Sequence, residues 1–410
     1  MKKRKIKLKF KFKVLLFIII TVLLLFIFFK KDETKEPAII KKNNFVNNIT
    51  FNKDYSSTDF INVENKVIDV LNLLYKSMYY LEENDFSKLI KDDTESYLTN
   101  KIVKYLVKTR KNERNDLSLT NTSYDIEFKS IENIENDYIV TVMENGTYNF
   151  KFMKEVSSYY YNIQNIFTFD ESYNLISFKR SADSFSLFDE FLEEDYTLEE
   201  IDSVYEELYN KKIISIEDNK LLYQEFLESE KPEYKTCDND YNREKALSYA
   251  SKYVKKRNTK EWEKYDEYGG NCQNFASQVL FSGGIPMDVY GKDIWKWYSN
   301  EPDNSEDKYG RSPSWTIVNE FYIYAKNNID FGLCAETNLN IYYAEEGDII
   351  QVGYDGIFIH STVSIKPYKN NNDKVIEILV NSNTNDYENY PISAISTPEV
   401  RLIKILGFND

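Results

Sequence analysis

The sequence predicts an α+β protein with a membrane anchor at its N-terminus, and three changes of pattern along its 410 residues lead to this prediction. First, a basic segment precedes an uncharged apolar run from Val14 to Phe29. Second, a helical repeat of apolar residues begins near Asp59, and a strand-like alternation replaces it from Tyr124. Third, glycine and tryptophan become concentrated after residue 238. Helices followed by a series of strands are typical of the α+β class.

The first 31 residues have the pattern of a membrane signal anchor. They contain ten lysine or arginine residues and no acidic residue. A helix over residues 14–29 would be about 24 Å long at roughly 1.5 Å per residue, slightly shorter than a hydrocarbon core of about 30 Å. Most of the basic residues precede the apolar run, which favours a cytoplasmic N-terminus and an extracytoplasmic body. No small-residue cleavage site follows, so we expect an uncleaved single-pass anchor in the cell membrane, with residues 32–58 as a spacer.

Residues 59–182 are predicted to form an α+β roll, a helix lying across a curved sheet. Val63, Val67, Leu71 and Leu74 recur at helical spacing, and the helical style continues from 84 to 110. Strand-like segments then follow, namely Tyr124–Phe128, Tyr138–Val142, Gly146–Phe150, Ser158–Phe169 and Leu175–Phe178. This order resembles the SnoaL-like roll, on topology alone. We expect a spacer or recognition module, because this part of the sequence contains no histidine.

Residues 183–237 are rich in Glu, Leu and Tyr and are predicted to form one or two linking helices before a catalytic domain at 238–410. All four tryptophans and ten of the twelve glycines lie between residues 262 and 356. Such a concentration is typical of a substrate groove built from loops, although a packed core also uses tryptophan. Trp295 and Trp315 are therefore candidates for substrate binding.

The charge argues against a nucleic-acid-binding protein, and the cysteine count argues against a disulfide-rich scaffold. Beyond residue 31 the chain carries 42 basic and 67 acidic residues, a net charge of −25. We expect no nucleic-acid partner, because phosphate groups would repel such a body. Three cysteines are too few for a disulfide scaffold. We expect Cys237 and Cys334 to be free thiols, although spacing alone leaves their pairing open.

Cys272 is the predicted nucleophile. Asn271 follows Gly269-Gly270 and is placed to cap a helix that stops at Gly283-Gly284. Cys272 would then lie in the first helical turn, where free backbone N–H groups and the helix dipole favour a thiolate. The same N–H groups can receive an oxyanion. Asn271 and Gln273 are further candidates for the oxyanion site.

His360 is the only histidine of the chain and is the predicted base. Residues 347–352 and 357–365 are predicted to form a hairpin. On strict alternation Ile357, Ile359 and Val363 point to the face opposite His360, and one of the two faces should be core. Thiolate chemistry requires an imidazole partner, and this chain has one to offer.

A third residue should orient the imidazole, as in Cys-His-Asn proteases. The strand predicted at 374–380 leads into a polar turn. Asn381, Asn383 and Asp386 in this turn all qualify, and chemistry alone does not select one of them.

Five motifs follow one another in the catalytic domain, namely Tyr241–Ala250, Gly269–Gln278 with Gly283-Gly284, Ser314-Trp315-Thr316, Gly347-Asp348 and His360-Ser361. In this order they resemble the family called putative amidase domain, a branch of the papain-like cysteine hydrolases related to CHAP and NlpC-type cell-wall enzymes. The resemblance implies a papain-like fold in which a helix with the nucleophile packs on an antiparallel sheet with the base. It also implies hydrolysis of amide or peptide bonds without a metal or cofactor.

The same resemblance selects a third catalytic residue. The family typically has a His-Thr-x-Asp motif, and Asn383-Thr384-Asn385-Asp386 matches it here, which puts Asn383 forward. With the anchor, these observations predict a membrane-anchored extracytoplasmic cysteine amidase or peptidase acting on peptidoglycan peptides. The alternatives are a catalytically inactive papain-fold binding module and a surface protein that acts through its roll domain.

Overall fold

The computed structural model describes residues 45–52, 60–289, 294–297 and 311–410, and these residues form a mixed α+β fold with two β-sheets and eight α-helices. The predicted α+β class is therefore confirmed for this part of the chain. The predicted anchor at 14–29 lies outside the described residues. Among the helices that the structure describes, none combines the length and the apolar character needed to cross a membrane.

Two helices precede most of the first sheet, α1 (Ile61–Tyr80) and α2 (Asp93–Asn112). The predicted apolar face of α1 is buried, since no residue of the following set is more than 1% exposed: Val63, Val67, Val70, Leu71, Leu74 and Met78. Helix α2 begins later than the pattern predicted. Asp92 fixes this start by accepting hydrogen bonds from the backbone N–H groups of Thr94 and Glu95.

The first sheet contains β1 (Val46–Phe51), β2 (Leu119–Ile134), β3 (Asp137–Phe150), β4 (Ser158–Phe169) and β5 (Leu175–Arg180). Strand β1 is parallel to β2, and the other pairs among these five strands are antiparallel. The sequence predicted two separate strands where β3 is continuous. The register of β3 against β4 shifts between Glu144 and Gly146, so a bulge accommodates the glycine that suggested a break.

Two helices lie within the predicted linker, α3 (Asp183–Asp189) and α4 (Leu198–Glu228). Thr197 and Glu200 form a capping box that fixes the start of α4. Lys212 of α4 is buried and donates to the carbonyl oxygens of Ile395 and Thr397, each at 3.1 Å. The long helix is thereby attached to a segment near the C-terminus.

Eight strands follow, and they are listed here with their bounds: β6 (Asn239–Asp240), β7 (Gly332–Leu339), β8 (Ile349–Tyr354), β9 (Ile357–Lys369), β10 (Val375–Asn381), β11 (Asp386–Glu388), β12 (Tyr390–Pro391) and β13 (Glu399–Asn409). The second sheet has the order β12-β10-β9-β8-β13-β6, with β7 also on β13. Strand β11 is the exception, because it pairs with β4 and so belongs to the first sheet.

The last four helices are α5 (Arg243–Tyr253), α6 (Cys272–Ser282), α7 (Pro313–Thr316) and α8 (Val318–Asn327). A core of apolar residues from α5, α6 and α8 packs on one face of the second sheet, and the opposite face shares the core of the first sheet. The predicted hairpin is present as β8 and β9. Asp355 and Gly356, with φ of 53° and 74°, form its two-residue turn.

Cys237 and Cys334 form a disulfide with a Cα–Cα distance of 6.1 Å. The expectation of two free thiols was therefore wrong. The two residues are 97 positions apart, and antiparallel pairing of β6 and β7 with β13 brings them together. This proximity depends on the sheet, so the cysteine spacing could not reveal it. Because the chain has three cysteines, Cys272 is its free thiol.

Candidate active site

Cys272 is the first residue of α6 and is buried, with 6% of its surface exposed. The backbone N–H groups of Ser361, Gln273 and Cys272 itself approach the sulfur. Burial raises the pKa of the Cys272 thiol, and these three N–H groups oppose that effect without cancelling it. The resting sulfur is therefore a neutral thiol at neutral pH, held where its own helix begins.

Asn271 precedes the helix but does not cap it with its side chain. The Oδ1 atom instead accepts from the Tyr265 N–H and from Asn274, at 3.1 and 2.8 Å, and Nδ2 donates to Asn383. The expectation of an Asn271 cap was wrong for this reason. These bonds use Oδ1 and one N–H of the Asn271 amide, and its role as an oxyanion donor stays a prediction.

His360 lies on β9 with its ring buried, and its edge-to-face contact with Tyr387 has a centroid distance of 6.3 Å. Burial lowers the pKa of His360 to about 4, so the imidazole is neutral at neutral pH. Its Nε2 atom is buried and has no hydrogen-bond partner among the residues that the structure describes. The ring is thus available to exchange a proton.

Strand β9 does not alternate strictly beside His360. His360 is opposite Val352 and Phe358 is opposite Gly353, so Ile359 is an extra residue in a bulge. Ile357 and Ile359 are 57% and 38% exposed, which corrects the expectation that they share a core face with Val363.

Gln273 connects the nucleophile helix to the strand of the base. Its Oε1 accepts from Ser361 Oγ at 2.6 Å and from Gln351 Nε2 at 3.4 Å, while its Nε2 donates to Ser277 at 3.2 Å. This buried side chain is therefore a link between α6 and β9. The expectation that its amide stabilises an oxyanion is not supported, and its backbone N–H remains the candidate donor.

Asn383 is not a hydrogen-bond partner of His360. Its Nδ2 donates to the carbonyl oxygens of Tyr253 and Val254, at 3.2 and 3.1 Å, and its Oδ1 accepts from Asn271. The predicted orienting role is corrected by these bonds, because they direct the amide toward the end of α5. The two other candidates are also engaged elsewhere, since Asn381 accepts from the Asn389 N–H and Asp386 pairs with Arg257.

Trp295 and Trp315 are core residues. Both are 0% exposed, and their rings stack with a centroid distance of 4.6 Å. Their indole N–H groups donate to Ser277 and Asn274, at 3.1 and 3.0 Å, so side chains of helix α6 satisfy both donors. The proposed substrate contacts of these two tryptophans were wrong, because packing behind the nucleophile helix removes both from solvent.

Cys272 and His360 line one cleft of about 700 Å³. Its rim is apolar and exposed at Tyr268, Ile317, Ile357 and Ile359. Helix α3 and its C-terminal end supply one wall through Ser186, Leu187 and Glu190, which no local sequence signal had indicated. Among the described lining residues, Glu190 is the one Asp, Glu, Lys or Arg.

The cleft also contains polar atoms without partners. The following atoms of lining residues are buried and unpaired within the described part of the chain: Ser186 Oγ, Thr316 Oγ1, His360 Nε2 and Thr397 Oγ1. Buried polar groups without a partner are uncommon in folded proteins, so each of them calls for an explanation. A larger cavity of about 930 Å³ lies elsewhere and contains neither Cys272 nor His360. No three His, Cys, Asp or Glu side chains are grouped as metal ligands in the described ranges.

Comparison with known proteins relates residues 240–405 to a domain family. An uncharacterized protein of Bacillus subtilis (strain 168), YhbB, is 32% identical over 170 residues, which are 39% of this chain and 48% of that protein. The chain thus spans about half the length of this curated relative. No solved structure matches the chain. Residues 240–405, which hold both Cys272 and His360, match the family described as "Putative amidase domain".

Proposed function

We propose that the protein is a cysteine amidase or peptidase with a papain-like arrangement, in which Cys272 is the nucleophile and His360 the base. One observation carries the proposal. A free thiol at a helix start and the imidazole of the chain's single histidine line the same cleft, and the backbone N–H groups of Ser361 and Gln273 approach the sulfur. Nucleophile, base and oxyanion donors are the three parts that acyl transfer requires.

The raised thiol pKa and the lowered imidazole pKa support a mechanism that starts from a neutral pair. His360 takes the thiol proton as the sulfur bonds to the amide carbon, and the N–H groups of Cys272 and Gln273 stabilise the oxyanion. His360 then gives the proton to the amine as the C–N bond breaks. A water molecule, deprotonated by His360, attacks the thioester and releases the acid and the thiol.

The proposed location is outside the membrane, with the chain anchored through residues 14–29 and its C-terminal body extracytoplasmic. The disulfide between Cys237 and Cys334 supports this location, because disulfides persist in oxidising compartments. The proposed substrates are amide bonds of peptidoglycan peptides. Retention near the wall would come from the anchor, since the acidic body repels anionic wall polymers.

The test is digestion of purified peptidoglycan by the full chain in detergent, with mass analysis of the products. Cys272→Ala should lower the rate by at least about a thousandfold, because the covalent step is lost. Ser282→Ala is the matched control, since it also truncates a small polar side chain of α6 but at the exposed far end. If Cys272→Ala cleaves as fast as the control, the cysteine mechanism is wrong.

A second candidate, the catalytically inactive binding module or a surface protein acting through its roll domain, is favoured by one observation. Asn383 donates to the carbonyl oxygens of Tyr253 and Val254 and does not orient His360. A peptidyl electrophile separates the candidates. If His360 is a working base, His360→Gln should slow modification of Cys272 by about a hundredfold or more, whereas an inert site should react equally slowly in both proteins.

A further inference from the structure

Strand β11 belongs to the first sheet although it follows the strands of the second. Its residues pair with β4, with Asp386 opposite Tyr161 and Glu388 opposite Tyr159. The turn at residues 383–385, which leads into β11, lies beside the loop that ends at Asn271, directly before Cys272. The first sheet therefore reaches the cleft through a segment that is distant from β4 in the sequence.

Thr384 connects this turn to the nucleophile loop. Its Oγ1 accepts from the Asn271 N–H at 2.7 Å and donates to Asp266 at 3.1 Å. A Cβ at Gly270 would lie 3.4 Å from the Thr384 methyl group, and Gly270 has a φ of 115°, so the loop fits closely against the turn. Thr384 thereby binds the backbone N–H of Asn271, the residue directly before Cys272.

Two side chains of β4 hold the turn from the other side. Tyr160 donates its hydroxyl to Asn385 Oδ1 at 2.7 Å, and Asn162 donates Nδ2 to Asp386 Oδ2 at 2.7 Å. The other oxygen of Asp386 accepts from the Thr384 N–H at 2.8 Å. A continuous series of hydrogen bonds thus runs from β4 through Asp386 and Thr384 to the backbone beside Cys272.

The same strand also touches the base. Tyr387 of β11 makes the edge-to-face contact with His360, and the Tyr160 ring packs on Tyr387 at a centroid distance of 4.5 Å. Residues on β4 are therefore connected through β11 and its turn to His360 and to the residue before Cys272. Neither Tyr160 nor Asn162 lies within the segment 240–405 that matches the domain family.

We propose that Tyr160 and Asn162 are positioning residues of the active site, which makes the first sheet part of the site's framework. Their hydrogen bonds keep the turn at 383–386 pressed against the nucleophile loop and Tyr387 against His360. Loss of these bonds should let the Cys272 loop open toward water. The thiol pKa should then fall toward its ordinary value, because burial is what raises it.

Alkylation of Cys272 by iodoacetamide in the full chain measures this effect directly, since the two other cysteines are joined in a disulfide. The main variant is Asn162→Asp, which is nearly isosteric and places a carboxylate against Asp386. Asn162 has a φ of 57°, which Asp also tolerates. We expect the alkylation midpoint to move to lower pH, and the rate constant at pH 7 to rise by about tenfold or more. A second carboxylate would replace the hydrogen bond to Asp386, and the ion pair of Asp386 with Arg257 at 2.9 Å would offset only part of the repulsion.

The matched control is Asn47→Asp. Asn47 Nδ2 also donates to a carboxylate, that of Asp125 at 3.0 Å, in the same sheet but away from the turn. The control should keep the alkylation profile of the original protein. Tyr160→Phe provides a second variant with a smaller expected shift, up to about tenfold in rate, since it removes one hydroxyl and keeps the packed ring.

This proposal rests on the proposed function only where the rate of hydrolysis is measured. The alkylation readout does not require hydrolysis, so the two proposals can fail separately. In an active protein, Asn162→Asp should lower kcat with little change in KM. If no protein hydrolyses an amide, the proposed function fails, and the alkylation profiles still decide the role of β4. If Asn162→Asp and Tyr160→Phe both keep the original alkylation profile, the contacts are purely structural and the proposal is overturned.

Discussion

Two buried polar groups, the Glu144 carboxylate and the His360 imidazole, differ in their hydrogen bonds. Inside the first sheet, the carboxylate of Glu144 accepts from Arg180 at 2.6 and 3.0 Å and from Asn165 at 3.1 Å, and Tyr75 donates to it as well. In the cleft, His360 Nε2 is buried and has no partner among the described residues. The first arrangement stabilises the fold, whereas the second leaves an atom available for a substrate or a proton.

Arg180→Met tests the stabilising side of this comparison and should have the largest effect on stability. It leaves the Glu144 carboxylate buried without its cation, so the free energy of unfolding should fall by about 3–5 kcal/mol in urea titration. Lys129→Met is the control, because Lys129 pairs with Glu127 at 2.7 Å while both side chains are 38% exposed. The control should change the free energy of unfolding by less than about 1 kcal/mol. Equal losses in the two variants would contradict the comparison.

His360→Gln tests the cleft through the pH dependence of stability. The folded-state pKa of His360 is lowered to about 4, from an ordinary value of 6.5. Between these values the unfolded state binds more protons, so acidification from pH 6.5 to 4 should cost on the order of 3 kcal/mol of unfolding free energy. The variant should lack this component when the two proteins are unfolded at a series of pH values. An identical pH dependence would show that His360 is not buried as a neutral ring.

The pair Thr316→Val and Thr362→Val has the smallest expected effects on the free energy of unfolding. Thr316 Oγ1 is buried in the cleft wall without a partner in the described residues, whereas Thr362 Oγ1 donates to the Ile350 carbonyl at 3.0 Å. Thr362→Val should therefore lower the free energy of unfolding by about 1 kcal/mol. Thr316→Val should leave it unchanged or slightly higher. Chemical denaturation of the pair measures the difference, and a greater loss in Thr316→Val would mean that its hydroxyl is satisfied.

The sequence predicted where Cys272 and His360 lie in the fold because both residues have local signals. Cys272 follows two glycines and starts an apolar helical pattern, and His360 is unique in the composition. Their catalytic roles remain predictions. The surroundings of the pair were not predictable, because spacing does not tell which way a side chain turns. Asn383 has the expected type and position, yet its amide bonds to α5 and Asn271.

The sequence by itself determined the elements whose causes are local. The apolar face of α1, the glycine stop of α6 and the turn between β8 and β9 all depend on residues within a few positions of each other. Three features depend on the tertiary structure alone. They are the pairing of β11 with β4 of the first sheet, the disulfide between Cys237 and Cys334, and the wall of the cleft that α3 forms. Tyr160 and Asn385 are 225 positions apart, and such contacts depend on how whole sheets pack rather than on local pattern.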